Sequence, residues 1–482
     1  MAAAAAFLPM ALAFLLGLFT AICCKFFKVS IFRQKPATVL TTPNGSIFFY
    51  LPLLGETLSF LKPHNSNSPG TFLQQHCSRY GRVFKSHLFG RPTIVSCDHD
   101  FNMFILQNEE RLFRSSYPKP IHDILGKHSM MLVSGDLHKK LRSVAVGFIN
   151  GSKSRPDFLD YVDKLCVSLV ESWKAKNQVL FFKEAKELTF YIMLKNLVSI
   201  EPEDPPAANI LEDFLTFMEG FVSLPLYIPG TAYSKAINAR RRISNTLHEI
   251  IKKRENTFTG KKTLRRGDFL DEILSNGGLN YEEKVISVLL DLLLAGYETT
   301  SGLMALVVYF LAQAPLALQT LQNEHKVLRK RKKEGEPLNW DDYKNMEFTS
   351  HVLNEALRCG NLVKFVHRKA LEDVKFKGYV IPEGWQVLPI ILGAHLDPTL
   401  HQNPSEFNPW RWIDPTTSRK VSPYGGGLRI CPGAELGKLE TAFFLHHLVL
   451  NFRWKTSEED CPISRPYLEF KRGLLLEIEQ ID

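Results

Sequence analysis

Residues 423–433 read Pro423-Tyr424-Gly425-Gly426-Gly427-Leu428-Arg429-Ile430-Cys431-Pro432-Gly433. Three successive glycines let a backbone lie flat against a large planar group, because no Cβ stands in the way. Arg429, two residues before the cysteine, is placed to meet a carboxylate. Directly after the loop, from 434 to 450, apolar residues recur three and four apart, the pattern of a helix that buries one face. Cys431 therefore stands just before a helix N-terminus, where the helix dipole favours thiolate over thiol. A thiolate offered by a glycine-rich loop is what an axial ligand to a haem iron requires. The competing reading is a buried structural cysteine in a turn.

Composition is compatible with either reading and excludes others. The chain has 482 residues, 59 Lys plus Arg against 50 Asp plus Glu, a formal charge of +9 and 45% apolar residues. A disordered polymer, a collagen and a small disulfide scaffold are ruled out. A protein of this size buries a large core and still has room for a deep pocket. None of the eight cysteines forms a C-x-x-C pair, which argues against a zinc ribbon or a thioredoxin-type motif. Cysteine use this sparse suits a reducing compartment.

The N-terminal 24 residues carry no charged group, and Lys25, Lys28, Arg33 and Lys35 follow at once. Such a helix would extend roughly 36 Å, enough for a bilayer core. The basic flank predicts a single transmembrane anchor over 1–24 with everything after it on the cytosolic side. A cleaved signal peptide is the rival, but it lacks a basic start and a clear small-x-small cleavage site. Pro36, Pro43, Asn44, Gly45, Pro52 and Gly55 punctuate residues 25–55, which read as a hinge, leaving 56–482 as the body.

Within the body, helical periodicity covers 157–174, 207–221, 235–255, 281–313, 315–331, 348–358 and 434–450. Strand-like runs are short, near 82–89, 93–96, 374–381, 386–391 and 468–478. The expected fold is mainly α with small sheets. Basic runs at 240–242 and 326–333 admit two readings, a solvated helix end or a surface for an acidic partner or anionic headgroups. No nucleic-acid signature accompanies them. Residues 214–228, rich in Phe, Leu and Val, fit either a core helix with its turn or a lid that dips into a membrane.

Further motifs fall along the chain. Ala295-Gly296-Tyr297-Glu298-Thr299-Thr300 lies midway in the long helical stretch, with Ala295, Gly296 and Thr299 on one face. Small residues leave room for dioxygen, and an acid beside a hydroxyl can relay protons. A helix kink with two self-bonded hydroxyls is the plainer alternative. Glu355 and Arg358 share a helix face. Phe407-Asn408-Pro409-Trp410-Arg411-Trp412, His138 with Arg142 four residues on, and Val366-His367-Arg368 complete the set.

These stretches, in this order, resemble the cytochrome P-450 superfamily of haem-thiolate monooxygenases, from about Leu51 to the C-terminus. The resemblance implies that fold, with a long central helix over haem b, and Cys431 as the iron's axial ligand. It implies Glu298 and Thr299 as the proton-handling pair, and Arg429, Arg142, His138, Arg368 and Tyr424 as haem contacts. Arg411 would close a buried network with Glu355 and Arg358. Three departures stand out: Tyr424 replaces the usual Phe, His138 replaces the usual Trp, and the proline-rich hinge is reduced to Thr42-Pro43-Asn44-Gly45. Closer in, Phe72–Gly81, Phe84–Gly90, Phe104–Glu110 and Arg358–Ala370 look like plant steroid hydroxylases of brassinosteroid synthesis, nearest to those that act at C-22 of the sterol side chain. That implies a sterol substrate, dioxygen, electrons from NADPH through a flavoprotein reductase, and the endoplasmic reticulum membrane. Another steroid carbon or a triterpenoid, a haem-thiolate isomerase, and a non-catalytic haem- or sterol-binding protein are the alternatives.

Overall fold

The structure, a computed structural model, describes residues 55–258, 266–275, 282–465 and 467–481. The expected anchor over 1–24 and the hinge up to residue 54 lie outside the described residues. Six helices carry the site: α1 (Gly135–Ser152), α2 (Phe181–Val198), α3 (Glu282–Ala312), α4 (Pro315–Lys330), α5 (Glu347–Gly360) and α6 (Ala434–Asn451).

The 31-residue α3 is the spine, packed against α2, α5 and α6. Met304, Ala305, Leu306, Val307 and Val308 are consecutive and all fully buried, so this half of the helix is enclosed on every side. Residues 283–312 are long and apolar enough to span a bilayer, yet 78% of the most apolar window is buried inside the protein. The stretch is therefore a core helix.

A five-stranded sheet flanks the helical body. Its strands are β1 (Val83–Leu88), β2 (Arg91–Ser96), β3 (Phe113–Ser115), β4 (Arg368–Ala370) and β5 (Gln386–Pro389), ordered β1-β2-β5-β4-β3. Only β2 and β5 run parallel, with Thr93 opposite Gln386; Ser115 faces Arg368 across the antiparallel β3–β4 pair. This pairing brings Arg368 beside the 109–115 segment from far away in the sequence.

All seven helices read from periodicity are present to within a turn at each end. Residues 374–381 are a hairpin, not one strand, because Lys377 and Gly378 both take positive φ (46° and 83°) and turn the backbone. Residues 468–478 likewise split into Leu468–Phe470 and Leu475–Gln480 around Gly473. Within 214–228 the core reading holds for only part of the segment. Phe214 and Phe217 are core, while Leu224, Leu226, Tyr227 and Ile228 are half or more exposed. Of the basic runs, Arg242 pairs with Asp213, and Lys332 is buried against Glu336 and Asp342.

The helices are tied to the segment before the glycine loop by one buried carboxylate. Glu355 Oε1 accepts from Arg358 (2.8 Å), the Asn408 N–H (3.0 Å) and Arg411 (3.2 Å). Its Oε2 accepts from Arg358 Nε and from the indole of Trp412, both at 2.9 Å. Arg358 donates onward to the carbonyls of His395, Pro404 and Glu406. Burial pushes the Glu355 carboxyl up, but Arg358, Asn408 and Arg411 outweigh it and hold it below its ordinary value. Glu355→Ala leaves two guanidiniums without their counter-charge, at a cost of about 3–5 kcal/mol. A sharply lowered urea midpoint and soluble yield are expected; an unchanged midpoint would contradict this role.

Candidate active site

The loop 423–433 is shaped by what it touches. Gly427 has φ +63°, and a Cβ there would lie 2.0 Å from the Leu106 carbonyl oxygen, so only glycine fits. The Cys431 N–H donates to the Tyr424 carbonyl at 3.0 Å and closes the loop. Arg429 pins it from outside, donating to Glu109 Oε1 (2.6 Å) and to the carbonyls of Met130 (2.9 Å) and Val133 (2.6 Å). The other Glu109 oxygen lies 2.5 Å from Arg368 Nε. One buried carboxylate thus sits between two arginines. The carboxylate that Arg429 meets is Glu109.

Cys431 lines a cavity whose wall is largely apolar. Burial raises its thiol above the ordinary value, while the N–H groups of Gly433 and Ala434 and the charge of Arg142 pull the other way. Arg142, one turn along α1 from His138, donates to the Ile430 carbonyl at 2.5 Å. His138 is buried; burial and the charges of Arg429, Arg142 and Arg368 press it down to about 4. It is a neutral imidazole at physiological pH and offers an N–H in place of a charge. The Tyr424 ring lines the cavity, and its buried hydroxyl has no hydrogen-bond partner among the described residues. Burial and the nearby Cys431 keep that phenol protonated.

The α3 face that lines the cavity carries Ala295, Gly296 and Thr299. The Thr299 hydroxyl donates to the Ala295 carbonyl at 2.7 Å, leaving its oxygen lone pairs open to the cavity. Glu298 is not brought there. It occupies the neighbouring face of the helix, 8% exposed, with Lys186 of α2 at 3.3 Å. Burial raises its carboxyl, and Lys186 partly offsets that. The rest of the wall is mostly apolar, including Met193, Leu197, Leu292, Leu303, Val363 and Val366.

Sequence reasoning missed two acids. Glu109 is 320 positions from its partner Arg429, so no local spacing reveals the pair. Glu440 lines the cavity from α6, 1% exposed, with neither carboxylate oxygen bonded to protein. Its signal was available, as an acid on the buried face of an apolar-periodic helix.

The family model described as Cytochrome P450 matches residues 47–481. The chain belongs to the cytochrome P450 family. It is 54% identical over 448 residues to Cytochrome P450 724B1 of Oryza sativa subsp. japonica, covering 91% of this chain and 92% of that protein. It is 42% identical to Cholesterol 22-monohydroxylase CYP90B52 of Paris polyphylla, over 97% of this chain and 99% of that one. A rice Steroid (22S)-hydroxylase is 41% identical, at 89% and 87% coverage. Among solved structures, the retinoic acid-bound cyanobacterial CYP120A1 superposes with a TM-score of 0.79 at 25% identity, covering 90% of this chain and 98% of that one.

The family's cofactor is a haem with a thiolate ligand, and the residues present fit it. Among the described cysteines only Cys431 lines the cavity. The glycine loop lines one wall, and Arg368 and Arg429 both line the cavity while sharing the single carboxylate of Glu109, so acidic substituents there would meet the remaining positive charge.

Glu440 generates a pH test. Burial pushes it from 4.5 to about 8. Between these values the folded protein keeps a proton that the unfolded one has released, so its contribution to stability falls as pH rises. Thermal midpoints of the haem-loaded protein should fall from pH 5 to pH 8 relative to Glu440→Gln, which has no such group. Parallel curves would contradict the buried neutral acid.

Proposed function

We propose that this P450 monooxygenase hydroxylates a plant sterol at C-22, in its side chain, in brassinosteroid synthesis. The reaction is R–H + O₂ + 2e⁻ + 2H⁺ → R–OH + H₂O. The observation that carries the reading is near-full-length similarity to proteins named for 22-hydroxylation of cholesterol or steroids. The apolar cavity wall suits such a substrate.

Cys431 would hold the haem iron, with Arg142, Arg368, Arg429, His138 and Tyr424 around the porphyrin. Bound haem supplies the activation of dioxygen. The protein's own residues do the rest. Met193, Leu197 and Val366 exclude water and orient an apolar ligand. Thr299 presents an oxygen acceptor to the cavity, and its hydroxyl can pass on a proton when it turns from Ala295. Glu298, raised by burial on the neighbouring face of α3, would hold the next proton and would have to leave Lys186 to deliver it.

Residues 1–24 would anchor the body to the endoplasmic reticulum membrane as a single span, with 25–55 as hinge and the catalytic domain 56–482 in the cytosol. The exposed Leu224, Leu226, Tyr227 and Ile228 would rest against that membrane. Electrons would come from NADPH through a membrane-bound flavoprotein reductase.

Expression with such a reductase and feeding of campesterol and cholesterol should give products bearing a new hydroxyl at C-22 by mass spectrometry and NMR. Hydroxylation at another carbon would overturn the C-22 reading. In the same assay Thr299→Ala should divert electrons to hydrogen peroxide. Efficient hydroxylation by that variant would remove Thr299 from proton handling.

A further inference from the structure

Gly302 lies on α3 one turn beyond Thr299, buried, with one cavity-wall side chain lying directly over it. A Cβ built on Gly302 would stand 2.5 Å from Cδ1 of Leu362 and 3.7 Å from its Cγ. Leu362 lines the cavity, whereas Gly302 itself does not. The glycine is thus a notch in α3 that lets a branched wall side chain sit back against the helix.

Leu362 has little freedom to yield elsewhere. Its neighbour Asn361 ends α5 at φ 48° and donates through Nδ2 to the carbonyls of Ser66 (3.2 Å) and Cys359 (3.1 Å). Two residues on, the Lys364 carbonyl accepts from the Ile391 N–H at 2.9 Å. The backbone around Leu362 is therefore held on both sides. The flank is closed as well, since the same Cβ would lie 3.6 Å from Cδ2 of Leu468, which is itself buried. The open side is the cavity. At the neighbouring notch, Gly296 is overlain by the unbranched Met193, whose Cγ, Sδ and Cε would lie 2.4, 2.5 and 3.0 Å from a Cβ there. Gly302 is different in facing a branched side chain on a tethered backbone.

We propose that Gly302 is a specificity-determining position: by carrying no side chain it holds Leu362 out of the cavity and so sets the depth open to a bulky, rigid ligand. Naming a four-ring sterol as that ligand rests on the proposed function; the notch itself does not. Gly302→Ala removes the helix-propensity cost of a glycine, and the atom it displaces is the end of a side chain, so the fold has room to accept it.

The test is spectral titration of haem-loaded full-length protein with three probes: imidazole, the bulky 1-tritylimidazole, and campesterol. Gly302→Ala is expected to keep imidazole affinity within about twofold and to weaken both bulky probes about tenfold or more, the size of a modest overpacking penalty. Adding Leu362→Ala should restore the bulky probes to within about threefold of wild type. If Gly302→Ala alone loses haem, the double variant should recover both haem and tritylimidazole binding. Unchanged bulky-probe affinity in Gly302→Ala, or no recovery in the double variant, overturns the notch. Wild-type protein that binds tritylimidazole but not campesterol would count against the sterol reading, and the azole pair would still decide the role of Gly302.

Discussion

A single sulfur has to face open space at the start of a helix, and the surrounding structure keeps it there. Gly427 is pressed against the Leu106 carbonyl, Arg429 is locked to Glu109, and the Cys431 N–H closes back on Tyr424. None of these contacts stabilises the thiolate alone, since burial keeps the thiol raised against Gly433, Arg142 and Ala434. If Cys431 holds the family's haem iron as proposed, affinity for the cofactor would depend on the geometry of this loop.

The cationic side of the cavity has the same economy. Glu109 pairs with Arg429 and Arg368 together and joins the glycine loop to the five-stranded sheet through β4. Arg142 reaches the loop from α1 at Ile430. Three elements distant in sequence are thereby fixed around one space by charge-assisted bonds, which are shorter and more directional than neutral ones. On the far wall the constraints are steric. Gly296 and Gly302 allow side chains of other segments to lie close against α3, and the cavity takes its width from what those side chains leave.

Much of this was legible in the sequence, and the parts that were not have physical reasons. Helices with one apolar face announce themselves by period. The helix Phe181–Val198 does not, because twelve of its 18 residues are buried and no polar stripe remains to mark a phase. The 374–381 hairpin read as one strand because Lys377, a residue with no special turn preference, takes positive φ beside Gly378. In the site, the position of Cys431, Arg429 and Thr299 at the cavity was readable because they sit in short local motifs. Glu109 acts only through the folding of distant segments against one another. Leu362 matters through a side chain that Gly302 lacks. Glu298, adjacent to Thr299 in sequence, lies about 100° away around the helix and meets Lys186 in place of the cavity.

The most direct measurement of the central claim is the absorption spectrum of the reduced carbon monoxide adduct of the purified protein and of Cys431→Ser. The wild type should show the red-shifted Soret band of a thiolate-ligated haem, and the serine variant should lose it. A wild-type protein that takes up no haem, or a serine variant that keeps the thiolate band, would contradict the assignment of Cys431 and the chemistry derived from it.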